Sequence, residues 1–144
     1  MNISILHLYF NEYTLAVPFF ALLFAIIMKW CIHALKGRFT INKMFGSGGM
    51  PSAHSTFVVS LATSMGIKYG AFSDFFLMTL VFSIIIIYDA MNVRYQAWLH
   101  ARALNKLTPP KNGNELNESI GHTPFEAIIW WIIGFLTAVL LLGI

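Results

Sequence analysis

The sequence predicts an all-α integral membrane protein, a single domain over residues 1–144 forming a bundle of about four transmembrane helices. Three observations predict it. Of the 144 residues, 58% are hydrophobic and only 10% charged, whereas soluble domains average about 45–50% and about 25%. Four stretches approach the ~20 apolar residues a helix needs to cross the hydrocarbon core. Basic residues gather in alternate connections, as the positive-inside rule expects of a multi-pass chain. This balance excludes an ordinary soluble globule, and thirteen Phe with four Trp exclude disorder.

The first span is expected at about 13–35, broken only by Pro18, Lys29 and His33. No basic residue precedes it and no small-residue cleavage site follows, so it reads as a retained anchor rather than a signal peptide. The second, about 52–69, is weaker, being rich in Ser, Thr and Ala. The third covers about 75–105. It is strongly apolar through Tyr88 and then polar, so its second half must sit in protein or water. The fourth runs over 125–144. Turn signals fill the connections: Gly46, Gly48, Gly49 and Pro51 in the first, Gly70 in the second, and Pro109, Pro110, Gly113 and Gly121 in the third.

Lys36, Arg38 and Lys43 mark the first connection and Arg102, Lys106 and Lys111 the third, while the second has Lys68 balanced by Asp74. These connections are therefore expected in the cytoplasm, with both termini outside a cell membrane. The net charge of +3 reports orientation, and no nucleic-acid partner is expected. The lone Cys31 permits no internal disulfide.

Polar residues in so apolar a chain are costly, and they cluster. Gly48-Gly49-Met50-Pro51-Ser52-Ala53-His54-Ser55 opens the second span: glycines let backbone approach an anion, Pro51 suits a first helical position, and the amides of a new helix favour phosphate. A plain Gly-Pro helix start with a capping Ser would use the same residues. In Tyr88-Asp89-Ala90-Met91-Asn92-Val93-Arg94, Asp89 and Arg94 stand about 140° apart on one continuous helix, so each is expected to find another partner. For Asp89 the expected role is structural, pairing with Lys29 or with backbone amides of the Gly48-Gly49 turn. Thr123 to Glu126 fits a capping box with Pro124 at the first helical position, which explains Glu126 without catalysis but leaves His122 unexplained. Lys29 is expected to face the bundle interior.

Two histidines at helix starts, two cations and two Gly-rich turns converge on one face. Phosphoryl transfer through a phosphohistidine needs such a set: one imidazole attacks phosphorus, another protonates the leaving oxygen, and cations with backbone amides hold the remaining oxygens.

GGMPSAHS, DAMNVR with LNKL behind it, and GHTPFE resemble the three signatures of the divergent branch of the type 2 phosphatidic acid phosphatases. This family is related to acid phosphatases and vanadium-dependent haloperoxidases. The resemblance covers nearly the whole chain from Lys29 onward and implies a bundle like the core of that fold. It carries the nucleophile to His122, the general acid to His54 and the orienting acid to Glu126. Arg94 and Lys29 become phosphate clamps, with Gly48, Gly49, Ser52 and Ser55 as further phosphate-binding groups and Asp89, Asn105 and Gly121 as supporting residues. The sequence departs from the wider superfamily in three places: PSAH stands for PSGH, Glu126 stands where an Asp is usual, and no Arg lies six residues before His122. Arg94 would fill that last role from another helix.

The expected activity is metal-independent and cofactor-free hydrolysis of a lipid phosphate monoester at the cytoplasmic leaflet, with phosphatidate or phosphatidylglycerophosphate as candidates. A polyprenyl phosphate or diphosphate is the alternative substrate. Two other readings compete: metal-dependent hydrolysis with His54, Asp89, His122 and Glu126 as ligands, and a non-catalytic lipid-phosphate binder or carrier. Ala21 with Ala25, and Gly134 with Ala138, permit helix association and a homodimer, and intramolecular packing explains them equally.

Overall fold

The computed structural model describes residues 3–35, 53–107, 116, 118 and 124–143. Among them the regular structure is all helical: α1 (Ile3–Glu12), α2 (Ala16–Leu35), α3 (Ala53–Tyr69), α4 (Asp74–Met91), α5 (Val93–Leu107) and α6 (Pro124–Leu142). Two stretches are long and apolar enough to cross a membrane, Asp74–Leu107 and Phe125–Leu142, and a shorter apolar helix covers Ala16–Ile32. Helix α3 has 17 residues and a high Ser/Thr content, so by length and composition two of the four expected spans qualify.

The most polar of the four expected spans occupies the centre. Helix α3 packs against α2, α4 and α6 and buries Ser55, Thr56, Ser60 and Ser64 along with Val58, Val59, Ala62 and Met65. Three of its hydroxyls are satisfied within the helix: Ser60 donates to Phe57 O at 2.9 Å, Thr63 to Val59 O at 2.8 Å and Ser64 to Ser60 O at 2.7 Å. Such back-bonding removes most of the desolvation cost of a buried hydroxyl. Ser83 of α4 donates across to Val58 O at 2.9 Å, tying the two helices together.

Small residues set the spacing. A Cβ on Gly134 of α6 would lie 2.6 Å from Thr56 O and 3.1 Å from Thr56 Cα, so only glycine allows this crossing of α3 and α6. Ala21, Ala25 and Ala138 are fully buried. Both small-residue pairs singled out in the sequence are thus used inside the chain. Large apolar side chains point outward instead, including Leu77, Met78, Val81, Phe82, Ile84 and Ile85 of α4.

Two elements differ from the sequence expectation. Helix α1 is additional: too short to span, it caps the end of the bundle, with Phe10 buried against Val17, Ala138 and Leu142 and Asn11 Nδ2 donating to Leu142 O at 3.3 Å. The expected single helix over 75–105 is two, interrupted at Asn92 (φ −111°, ψ −75°), whose own N–H still reaches Tyr88 O. By contrast, the α3–α4 turn follows its local signals. Gly70 adopts φ +92°, the left-handed conformation that glycine accepts at a helix end, and Ser73 caps α4 by accepting from Phe76 N at 3.2 Å.

Candidate functional site

Helix α3 begins at Ala53 and packs against α2, α4 and α6. His54 stands in its first turn. Lys29 of α2 and Arg94 of α5 lie close enough to act electrostatically on the His54 imidazole. Lys29 ends a stripe of α2, Val17, Ala21, Ala25 and Lys29 at intervals of four, that faces inward along its length. It is 7% exposed, an ammonium held inside the bundle end rather than one reaching out to solvent.

Arg94 is held by Asp89, with Nε 2.6 Å from Oδ2. This corrects the expectation that the two residues would not pair and that Asp89 would seek Lys29 or the Gly48-Gly49 turn. The 140° separation assumes an ideal helix, and the backbone at Asn92 (φ −111°, ψ −75°) departs from one between the two residues. The pair is only part-buried, with side-chain exposures of 39% for Arg94 and 36% for Asp89. Its value is therefore in fixing where the guanidinium sits more than in holding the fold.

Glu126 lies half-buried in the first turn of α6, where a carboxylate complements the positive helix end. Ser55 is fully buried. Asn105 of α5 clamps the connection that precedes α6: its Nδ2 donates to Leu116 O at 3.0 Å and to Glu118 Oε1 at 2.8 Å, and its Oδ1 accepts from Leu116 N at 3.0 Å. Gly48, Gly49, Ser52, Gly121 and His122 lie outside the described residues, as does Thr123 of the capping box.

One side chain not singled out in the sequence stands at this site. Trp130, one turn beyond Glu126 on α6, is 2% exposed. Its backbone carbonyl accepts from Thr56 Oγ1 at 3.4 Å, two residues after His54. Its indole Nε1 is a buried donor with no acceptor among the described residues. Its spacing of four from Glu126 was the available signal, masked by the uniformly apolar run around it.

Two cations from separate helices, Lys29 and Arg94, thus act on the His54 imidazole, and Glu126 opens α6. Cations beside an imidazole are the kind of groups that phosphoryl chemistry uses. Residues 10–137 match the divergent PAP2 family. The chain is similar to the uncharacterized membrane protein YuiD of Bacillus subtilis (strain 168), 29% identical over 139 residues covering 84% of this chain and 88% of that protein. No solved structure matches it.

Proposed function

We propose that this chain, which belongs to the divergent PAP2 family, is a membrane enzyme that hydrolyses a lipid phosphate monoester without a metal, through a phosphohistidine. The observation that carries the reading is that Lys29, buried on α2, and Arg94, held by Asp89, both act electrostatically on the His54 imidazole, in a protein with many large apolar side chains on its exterior. The cations hold the phosphoryl oxygens, with Asp89 fixing Arg94, and Ser52, Ser55 and the Gly48-Gly49 amides completing the cradle. Neutral His122, oriented by Glu126, attacks phosphorus. The P–O bond to the lipid breaks as His54 protonates the departing oxygen. Water, deprotonated by His54, then attacks phosphorus, the N–P bond breaks, and inorganic phosphate leaves with both imidazoles restored. The chain is multi-pass, with this site at the cytoplasmic face. Cysteine labelling at positions 43 and 111 from inside only supports that side, and labelling from outside intact cells overturns it.

Phosphate release by the purified protein on a panel of lipid phosphates tests the activity. His54→Ala and His122→Ala should both abolish it, and a substrate whose leaving group needs no protonation should partly restore His54→Ala alone. Rapid quench should then trap an acid-labile phosphoenzyme in His54→Ala and none in His122→Ala. A phosphate mapped to residue 54 in protein lacking His122 reverses the roles. Full turnover in both variants ends the phosphohistidine mechanism, as loss of turnover on chelation ends metal independence.

A further inference from the structure

Helix α5 packs chiefly against α4, and of its 15 residues only Ala101 is buried. Where it lies follows from length. The stretch Asp74–Leu107 has 34 residues, which as one helix would measure about 51 Å against a hydrocarbon core of about 30 Å. Fitting it inside would need a tilt of about 54°, beyond the ~40° that spanning helices reach. The 18 residues of α4 already extend about 27 Å. A membrane-crossing α4 therefore fills the core, and α5, which starts past the irregular backbone at Asn92, lies beyond its edge.

The residues of α5 decide between open water and the membrane surface. Among the described helices it separates apolar from polar residues most strongly. Val93, Ala97, Leu104 and Leu107 fall within about 80° of one another around the axis, with Arg102 and Lys106 on the opposite side. Val93, Leu104 and Leu107 are exposed, an apolar stripe that water would leave uncovered. Beside it, the Tyr95 and Trp98 rings lie 5.3 Å apart, and the Arg102 guanidinium stands over the Trp98 ring at 5.5 Å. Helix α5 holds no acidic residue. Asp89 answers Arg94, and among the described residues neither Arg102 nor Lys106 has a carboxylate partner. An apolar stripe, Trp and Tyr, and basic residues on the far side are the composition of a helix lying flat in a bilayer surface, where the basic residues meet anionic lipid.

We propose that α5 lies along an anionic leaflet, with Val93, Leu104 and Leu107 dipping below the headgroups and Arg102 and Lys106 set among their phosphates. Arg94, in the first turn of the same helix, is thereby kept at headgroup depth. The inference rests on α4 crossing the bilayer and needs no turnover.

Full-length protein carrying Cys31→Ser is reconstituted in vesicles of mixed phosphatidylcholine and phosphatidylglycerol, neither of them a phosphomonoester. Single nitroxides are placed at Val93→Cys, Leu104→Cys, Leu107→Cys and Lys106→Cys. Oxygen should relax the first three more than a water-soluble nickel chelate does, and at one common depth, while the chelate should prevail at Lys106→Cys. Chelate access at positions 104 and 107 puts α5 in water, labels that neither reagent reaches are covered by protein, and a depth changing steadily from 93 to 107 stands the helix upright. Each of these overturns the proposal. A bimane at Leu99→Cys reads the lipid. Brominated phosphatidylglycerol should associate with it roughly fivefold better than brominated phosphatidylcholine, the effect of one cation near the surface, and Arg102→Gln with Lys106→Gln should remove that preference. Equal quenching by the two lipids in the protein with both basic residues overturns the anionic partner. Immersion without phosphate release from any lipid keeps this proposal and removes the hydrolytic one, and phosphate release without immersion does the reverse.

Discussion

Helices α3 and α4 are neighbours in the chain, joined by a turn of four residues, yet they follow opposite rules of burial. Helix α3, with its serines and threonines, is enclosed on three sides, whereas α4, carrying Ile84-Ile85-Ile86-Ile87, buries Ser83 and Ala90 and turns its large apolar side chains outward. In water this would be inside out. In a membrane protein the surrounding lipid is as apolar as leucine, so hydrophobicity does not decide which helix is enclosed. Small size and self-satisfied hydroxyls do, because they allow close backbone approach. The enclosed helix is also the one whose first turn carries His54, the residue that the proposed mechanism makes the general acid.

This contrast can be broken most severely at the α3–α6 crossing. Gly134→Leu places a side chain where even a Cβ would be 2.6 Å from Thr56 O. Unfolding of the detergent-solubilised variant should show a loss of at least about 1–3 kcal/mol, and a stable Gly134→Leu protein would refute the close crossing. Removing the tie between the contrasted helices should cost less: Ser83→Ala loses the hydrogen bond to Val58 O and should lower stability by about 0.5–1.5 kcal/mol.

Asp89→Asn should be smaller still in stability, about 0.2–1 kcal/mol, because the pair with Arg94 is part-exposed. Phosphate release should nonetheless fall, since Arg94 loses the group that positions it. A large stability loss with activity retained per folded molecule would instead make the pair a structural lock. The smallest effect is expected on the outward face of α4, where Ile85→Ala should change unfolding by no more than about 0.5 kcal/mol. A core-sized loss there would mean that another surface covers this face.

Much of this could be read from the residues alone. The helical membrane class follows from composition, the α3–α4 turn from Gly70, and the inward place of Lys29 from its depth within the first apolar span. These are local properties, set by side-chain chemistry and by backbone geometry within a turn or two. Helix α1 was not legible, because ten residues without a spanning length have no periodic signal strong enough to separate them from a terminus. The Asp89–Arg94 pair was misread for a related reason: helical angles extrapolate only along an unbroken helix, and nothing in DAMNVR marks Asn92 as the interruption. Residue types alone determined that this protein would be helical, with an apolar exterior and a lysine buried among its helices. Only the tertiary structure decided that Lys29 and Arg94, on different helices, both act on His54, that Gly134 meets the backbone of Thr56, and that the enclosed Trp130 N–H has no acceptor among the described residues. Those facts depend on the distances between helices, which side-chain packing sets.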